Sequence, residues 1–149
     1  MDLDKLISDL QRDEGWVPYV YDDANTQRVV PGYRMIGNAT VGWGFNFNGA
    51  PMTQAEAMPI LEGRASKAWD ECKIAWPWIE NAPEPIQRAV ANQLYNMGLN
   101  TLQKFTTYLG LLEQGEYEAA ATDLETTLWA KQTGSRALRI QALIRSALG

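Results

Sequence analysis

The spacing of apolar residues changes along the chain, and this change limits the possible folds more than any other feature. Four apolar residues near the amino terminus recur at the spacing of one helix face: Leu3, Leu6, Ile7 and Leu10. Asp2 or Asp4 can cap the start of this helix and Gly15 can end it. The pattern predicts a short first helix with Glu14 at its carboxyl end.

The stretch from Tyr19 to about Asn48 has a different texture. Turn-forming residues cluster in DDANTQ, PGY and GN, and TVGWGFNF alternates large apolar side chains with small or polar ones. The alternating positions are Val41, Trp43, Phe45 and Phe47. We expect a small antiparallel sheet of two or three strands.

The remainder of the chain is helical in pattern. Thr53 to Glu56 has capping-box spacing, and Pro59 predicts a kink or a late start near Ile60, with helix to about Ile74. Further helices are predicted from Pro85 to Gly98, Thr101 to Gln114, Tyr117 to about Lys131, and Ser135 to Leu148.

The order of elements predicts an α+β, predominantly helical fold in a single domain, residues 1–149. A small antiparallel β lobe, about 15–52, is inserted after the first helix, and a larger helical lobe comprises 1–14 and 53–149. A cleft between the lobes is the expected ligand site.

Absent residue types narrow the chemistry. The chain has no histidine and a single cysteine, Cys72, which excludes Ser-His-Asp and Cys-His catalysis, imidazole metal sites, multi-cysteine zinc sites and an internal disulfide. Cys72 is either a nucleophile or a small core residue, and its place in the helical stretch AWDECKIAW favours the core.

Charge and hydropathy exclude other classes. With 18 acidic and 13 basic residues the net charge is −5, which argues against nucleic acid as a partner. No apolar run reaches the roughly 18 residues of a membrane span. The amino terminus MDLDKLISDLQRDEG lacks the pattern of a signal peptide, so we expect a protein that stays in the cytoplasm until another protein releases it.

The stretch DEGWVPYVYDD, residues 13–23, holds carboxylates at both ends. Two carboxylates in unlike surroundings are the usual means of cleaving a glycosidic bond, one as acid and the other ionised. A helix carboxyl end and apolar neighbours would disfavour the charged form of Glu14, whereas Asp22 and Asp23 follow in a polar turn. The alternative is a solvated helix terminus.

Two further features have more than one interpretation. Arg136 follows Ser135, a candidate N-cap, so a cation occupies a helix start that prefers an anion; it either pairs with a buried glutamate or is solvated. Four aromatic residues either form a floor for stacking sugars or belong to the core: Trp43, Phe45, Tyr95 and Trp129.

The order of motifs closely resembles that of the phage-type lysozymes, the endolysins of glycoside hydrolase family 24. DEGW is followed by YVYDD, ATVGWG, LYNMG and LWAKQTGSRALR, from about Leu6 to Arg145. The resemblance implies a lysozyme-like two-lobed fold and a muramidase that hydrolyses the β-1,4 bond between N-acetylmuramic acid and N-acetylglucosamine in bacterial peptidoglycan during host cell lysis.

Residue roles follow from the same resemblance. It implies Glu14 as general acid, Asp23 as second carboxylate, Thr40 as holder of the attacking water, and Arg136 as partner of the glutamate. The residues it implies in substrate binding are Asn46, Tyr95, Tyr108, Asp123, Gln132 and Arg136. Asn96, Met97, Trp129 and Thr133 also fall on family positions at the cleft.

Two departures from the family pattern stand out. Phe45 stands where some relatives have histidine, and the stretch from Asp22 to Thr40 is longer than in the shortest relatives, so the sequence leaves open whether Asp22 or Asp23 faces the cleft. We expect a monomer that needs no metal or organic cofactor and inverts at the anomeric carbon. The alternatives are a non-catalytic peptidoglycan-binding protein and a phage structural protein.

Overall fold

The computed structural model describes residues 1–5 and 7–149; the Leu6 side chain, predicted on the apolar face of the first helix, lies outside the described residues. The described chain is 61% helical with a small antiparallel sheet, so the predicted α+β class is confirmed. Residues 1–57 and 58–149 form two compact units. The first helix and the sheet belong to the same unit, and only Gly15 and Trp16 separate the helix from the first strand.

The first helix, α1 (Leu3–Glu14), begins and ends where the sequence predicts. The Asp2 carboxylate caps it by accepting a hydrogen bond from the Lys5 N–H at 3.1 Å. Gly15 ends it with φ +69°, a backbone conformation that glycine adopts without steric cost. Glu14 is therefore held at the last helical position.

The sheet of this unit consists of β1 (Val17–Asp22), β2 (Ala39–Gly42) and β3 (Phe45–Asn46), antiparallel in that order within the described residues. Tyr21 lies opposite Thr40, and Thr40 lies opposite Asn46. Since directly opposed residues share a face, these three side chains start from one side of the sheet. Trp43 and Gly44 connect β2 to β3, and Gly42 and Gly44 both have φ near +70°.

The long connection between β1 and β2 folds back against β1. Arg28 forms an antiparallel bridge with Tyr21, and the Val29 N–H donates to the Val20 carbonyl at 2.9 Å. The Arg28 guanidinium also lies 4.9 Å from the centre of the Tyr19 ring. The stretch that the sequence predicts as a large loop is therefore attached to the sheet along part of its length.

The longest helix, α2 (Gln54–Ala75), begins in the first unit and continues into the second. The predicted capping box is confirmed: the Thr53 N–H donates to Glu56 Oε2 at 2.7 Å, and the Glu56 N–H donates to Thr53 Oγ1 at 3.2 Å. The predicted late start near Ile60 is wrong, because the capped first turn lets the helix begin before Pro59 and continue through it. In the part of the chain that the structure describes, no helix combines the length and apolar character needed to cross a membrane.

The second unit consists of helices packed on one core. After a short 3₁₀ helix (Pro77–Asn81), the helices are α3 (Glu84–Met97), α4 (Leu99–Leu102), α5 (Thr106–Glu113), α6 (Tyr117–Glu125), α7 (Leu128–Thr133) and α8 (Ser135–Ser146). The core residues that are fully or almost fully buried include Ile86, Val90, Leu112, Leu124 and Ile144.

Two predicted helices of this unit are each divided in the structure. The stretch predicted from Thr101 to Gln114 forms α4 and α5, which are separated by residues 103–105. The stretch predicted from Tyr117 to Lys131 is divided at Thr127, whose hydroxyl accepts the Ala130 N–H at 3.1 Å and so caps a new helix.

Candidate active site

Glu14 lies against the turn between β2 and β3. A Cβ added at Gly44 would lie 3.0 Å from the Glu14 carboxyl carbon and would collide with Oε2, so a side chain at position 44 would displace the Glu14 carboxylate. Glu14 is nevertheless exposed, and so is Trp16, at 60%. The predicted apolar enclosure of Glu14 is therefore wrong, and the Trp16 ring packs beside the Trp43 ring, with the two centroids 4.7 Å apart.

Asp22 is fully buried and accepts hydrogen bonds from four groups of the connection between β1 and β2. Oδ1 accepts the N–H groups of Ala24 at 3.0 Å and Gly37 at 2.9 Å, and Oδ2 accepts the Ile36 N–H at 2.7 Å and the Tyr33 hydroxyl at 3.1 Å. These donors, led by the Ile36 N–H, outweigh burial and hold the pKa of Asp22 below its usual value. Asp22 is occupied in holding the loop and is closed to a substrate.

Asp23 is exposed and is held by one neighbour, Asn38. Asp23 Oδ1 accepts the Asn38 N–H at 2.7 Å, and Oδ2 accepts the Asn38 side-chain amide at 3.0 Å. The Asp23 N–H donates to the Asn38 carbonyl at 3.1 Å. Asp22 is the last residue of β1, and Asp23 follows it in the turn beyond the strand. Of the two adjacent aspartates, Asp23 is the accessible one.

Thr40 and Asn46 face each other across β2 and β3. Thr40 is 4% exposed, and its hydroxyl donates to the Asn38 carbonyl at 3.3 Å. Asn46 Oδ1 accepts the N–H groups of Asn48 at 3.0 Å and Gly49 at 3.1 Å, which fixes the chain after β3. The hairpin thus brings two predicted site residues, Thr40 and Asn46, onto one face of the sheet.

Of the four aromatic residues that could either stack against sugars or belong to the core, three are exposed. Trp43 is 37%, Phe45 51% and Tyr95 44% exposed, so the core interpretation is wrong for these three. Trp129 is 7% exposed and belongs to the core of the second unit. Exposed aromatic rings beside a polar site are surfaces on which sugars or other flat ligands can stack.

The second unit has a polar cluster of its own along α3. Asn92 and Asn96 are one helical turn apart and share a face. Asn96 Oδ1 accepts the Trp129 indole N–H at 2.7 Å, and Asn92 Oδ1 accepts the Arg136 Nε–H at 3.0 Å. The structure therefore brings three residues that the resemblance singled out, Asn96, Trp129 and Arg136, onto one side of α3.

The local setting of Arg136 differs in one respect from the prediction. The N-cap of α8 is Gly134, with φ +53°, and Ser135 is the first helical residue. Arg136 still occupies the first turn, where a cation is unfavourable, and its hydrogen bond to Asn92 partly explains that position. Thr133, at the end of α7, donates its hydroxyl to the Trp129 carbonyl at 2.9 Å.

The other predicted substrate-binding residues are dispersed in this unit. Tyr95 borders an open groove of about 240 Å³ with Arg64 and Lys67. Gln132 is exposed on α7, and Asp123 is half-buried on α6.

The prediction that Tyr108 binds substrate is wrong. Tyr108 is fully buried on α5, and its hydroxyl donates to Gln93 Oε1 at 2.6 Å. Burial raises the pKa of the Tyr108 hydroxyl. A side chain enclosed in the core cannot line a sugar groove.

Cys72 is a buried core residue, as the sequence favours. Burial, with a smaller contribution from Glu71, raises the pKa of its thiol to about 12, so the thiol stays protonated and unreactive near neutral pH. Among the described residues, no group of three or more Cys, Asp and Glu side chains is arranged to hold a metal ion.

Sequence reasoning missed Asn38, Gly37 and Asn92. A Cβ at Gly37 would collide with the carboxylates of both Asp22 and Asp23. The sequence does contain a signal for Asn92: it precedes Asn96 by one helical turn, so the two asparagines are expected on the same face of the helix. Asn38 had none, since its partner is 15 positions away and reaches it only through the fold of the connection.

A scan against models of protein families finds no match to this chain, and a search of curated proteins also finds none.

Proposed function

We propose that this chain is a muramidase that hydrolyses the β-1,4 glycosidic bond between N-acetylmuramic acid and N-acetylglucosamine in bacterial peptidoglycan. The single observation that carries the proposal lies in the first unit. Glu14 lies against Gly44 of the hairpin that also bears Thr40, and Asp23 is the accessible one of two adjacent aspartates beside that hairpin. This supports an acid and a second carboxylate assembled on one small scaffold.

In the proposed reaction Glu14, in its protonated form, donates its proton to the leaving glycosidic oxygen. A water molecule held by Thr40 attacks the anomeric carbon and passes a proton to Asp23, so the product inverts. Glu14 is exposed, and the bound sugar would itself exclude water from the carboxyl group. The carboxylate of Asp23 is held in position for this role because both of its oxygens accept hydrogen bonds from Asn38.

Sugar binding is assigned to exposed groups of each unit. Trp43 and Phe45 offer open aromatic surface in the first unit. In the second unit, Tyr95, Gln132 and Arg136 retain surface for hydrogen bonding or stacking, and Asp123 does so in part. Tyr108 is left out because it is enclosed in the core.

The experiment that tests this function adds the purified protein to isolated peptidoglycan and follows both turbidity and new reducing ends. We expect turbidity to fall as reducing ends of N-acetylmuramic acid appear. Proton NMR of the first product formed should show the α-anomer, as inversion of a β bond requires. The β-anomer first would instead indicate a covalent intermediate.

The same assay separates the two alternatives. A non-catalytic wall-binding protein would sediment with peptidoglycan without producing reducing ends, and a phage structural protein would do neither. Either result would overturn the proposed activity.

A further inference from the structure

We propose that Asn38 is a positioning residue for Asp23, and that the long connection between β1 and β2 is folded so as to hold Asn38 in place. This role rests on the proposed function of Asp23 as the carboxylate that activates water.

The first step is the contact between the two residues. Asn38 supplies both the backbone N–H, at 2.7 Å from Oδ1, and the side-chain amide, at 3.0 Å from Oδ2. Two donors from one residue fix the plane of the carboxylate as well as its position. Each carboxylate oxygen has two lone pairs, so Asp23 keeps acceptor capacity for a water molecule.

The second step is a departure from regular strand pairing. In a hydrogen-bonded antiparallel pair, the two residues exchange both N–H to carbonyl bonds. Asp23 donates its N–H to the Asn38 carbonyl at 3.1 Å, but the Asn38 N–H goes to the Asp23 side chain instead of its carbonyl. Just beyond the paired ends of β1 and β2, the Asp23 carboxylate thus takes the donor that would otherwise extend the ladder by one bond.

The third step is how the position of Asn38 is itself fixed. The buried Asp22 carboxylate holds the Ile36 and Gly37 N–H groups, at 2.7 and 2.9 Å, directly before Asn38. Gly37 leaves no room for a Cβ between the carboxylates of Asp22 and Asp23. Tyr33 adds a further restraint, since its hydroxyl donates to Asp22 and accepts from the Asn25 side-chain amide. Asp22 thus fixes the backbone at residues 36 and 37. Asn38, the next residue, donates its two hydrogen bonds to Asp23.

The fourth step links Asn38 to the proposed water site. The Asn38 carbonyl accepts the Thr40 hydroxyl at 3.3 Å, so the hydroxyl proton is committed to that carbonyl and the Thr40 oxygen can act only as an acceptor toward the proposed water. The oxygen of Thr40 is then free to accept a hydrogen bond from that water, while Asp23 accepts the other proton. Asn38 orients both proposed partners of the nucleophile.

The test compares Asn38→Ala and Asn38→Asp with wild type and with Asn48→Ala, a matched control at an exposed asparagine outside the proposed site. The readouts are kcat and KM for reducing-end release from soluble peptidoglycan fragments, with folding checked by circular dichroism. We expect kcat of Asn38→Ala to fall roughly 10- to 100-fold, as misplacement of a catalytic group does, with KM within about twofold of wild type. Asn38→Asp, of the same shape but placing a like charge against Asp23, should lose at least as much of kcat.

Two results would overturn this role. One is that both folded Asn38 variants keep kcat within about twofold of wild type; the other is that the loss falls on KM alone. If Asn38→Ala does not fold, the isosteric Asn38→Asp decides by the same criteria. Inactive wild-type protein would instead overturn the proposed function, so the two failures are distinguishable.

Discussion

The Glu14 carboxylate lies so close to Gly44 that a side chain at position 44 would displace it. We expect Gly44→Ala to lower the rate of peptidoglycan hydrolysis roughly 10- to 100-fold, because the proposed acid is moved from its position. The left-handed backbone, φ +70°, adds a loss of about 1 to 2 kcal/mol in the free energy of unfolding.

Gly32→Ala is the matched control for Gly44→Ala. Its φ is +85°, but a Cβ there meets no atom of the described residues within 4 Å. It should cost similar stability in urea denaturation and leave the hydrolysis rate unchanged. Equal losses of activity in the two variants would mean that backbone strain, not contact with Glu14, is responsible.

Gly37 separates two carboxylates rather than supplying an unusual backbone angle. Gly37→Ala should lower the free energy of unfolding by about 1 to 3 kcal/mol through overpacking, and should also reduce activity as Asp23 shifts. Gly63→Ala, in α2 with open space around it, should raise stability by about 0.5 to 1 kcal/mol. Thermal unfolding of the two variants measures the contrast, and an unaltered midpoint for Gly37→Ala would contradict the packing described.

Asp22 should make stability depend on pH in the acid range. Its pKa is lowered in the folded protein, so its stabilising effect is complete above the ordinary value of 3.8 and is lost as pH falls from there through the lowered pKa. We expect Asp22→Asn to be less stable than wild type at pH 6, because an amide nitrogen then faces backbone N–H donors. Urea unfolding at a series of pH values should show the gap narrowing below about pH 4; a constant gap would contradict the role of the ionised form.

Tyr108 is predicted to act on stability and not on substrate. Tyr108→Phe should lower the free energy of unfolding by about 1 to 2 kcal/mol, since it removes the donor to the buried Gln93 oxygen. The Gln93 side-chain nitrogen already lacks a protein partner among the described residues. Replacing both, as Tyr108→Phe with Gln93→Leu, should recover part of the loss. If Tyr108→Phe left stability unchanged and raised KM for peptidoglycan, Tyr108 would bind substrate and the structural role would be contradicted.

The sequence predicts the fold class because hydrophobic periodicity and caps act over a few residues. The Asp2 cap, the Gly15 stop and the Thr53 capping box were all read from neighbours within four positions. The division of the later helices was missed, since the cap at Thr127 interrupts an otherwise continuous helical pattern.

Patterns that act over a few residues predict the candidate site less well than they predict the fold. Asp22 and Asp23 are adjacent and chemically alike, and what separates them is the return of residues 33–38, which delivers three donors to the Asp22 carboxylate and two to that of Asp23. No local pattern carries that information.

The most direct test of the proposed muramidase is the hydrolysis rate of Glu14→Gln, measured as reducing ends released from purified peptidoglycan, with Asp13→Asn as the control for loss of a neighbouring charge. Asp13 is exposed and accepts a hydrogen bond from Arg12 at 2.8 Å, so its loss should leave the rate within about twofold of wild type. We predict that folded Glu14→Gln loses roughly 10²- to 10⁴-fold of the rate, the usual contribution of a general acid. A rate for Glu14→Gln within a few-fold of wild type would contradict the assignment of Glu14 as the acid.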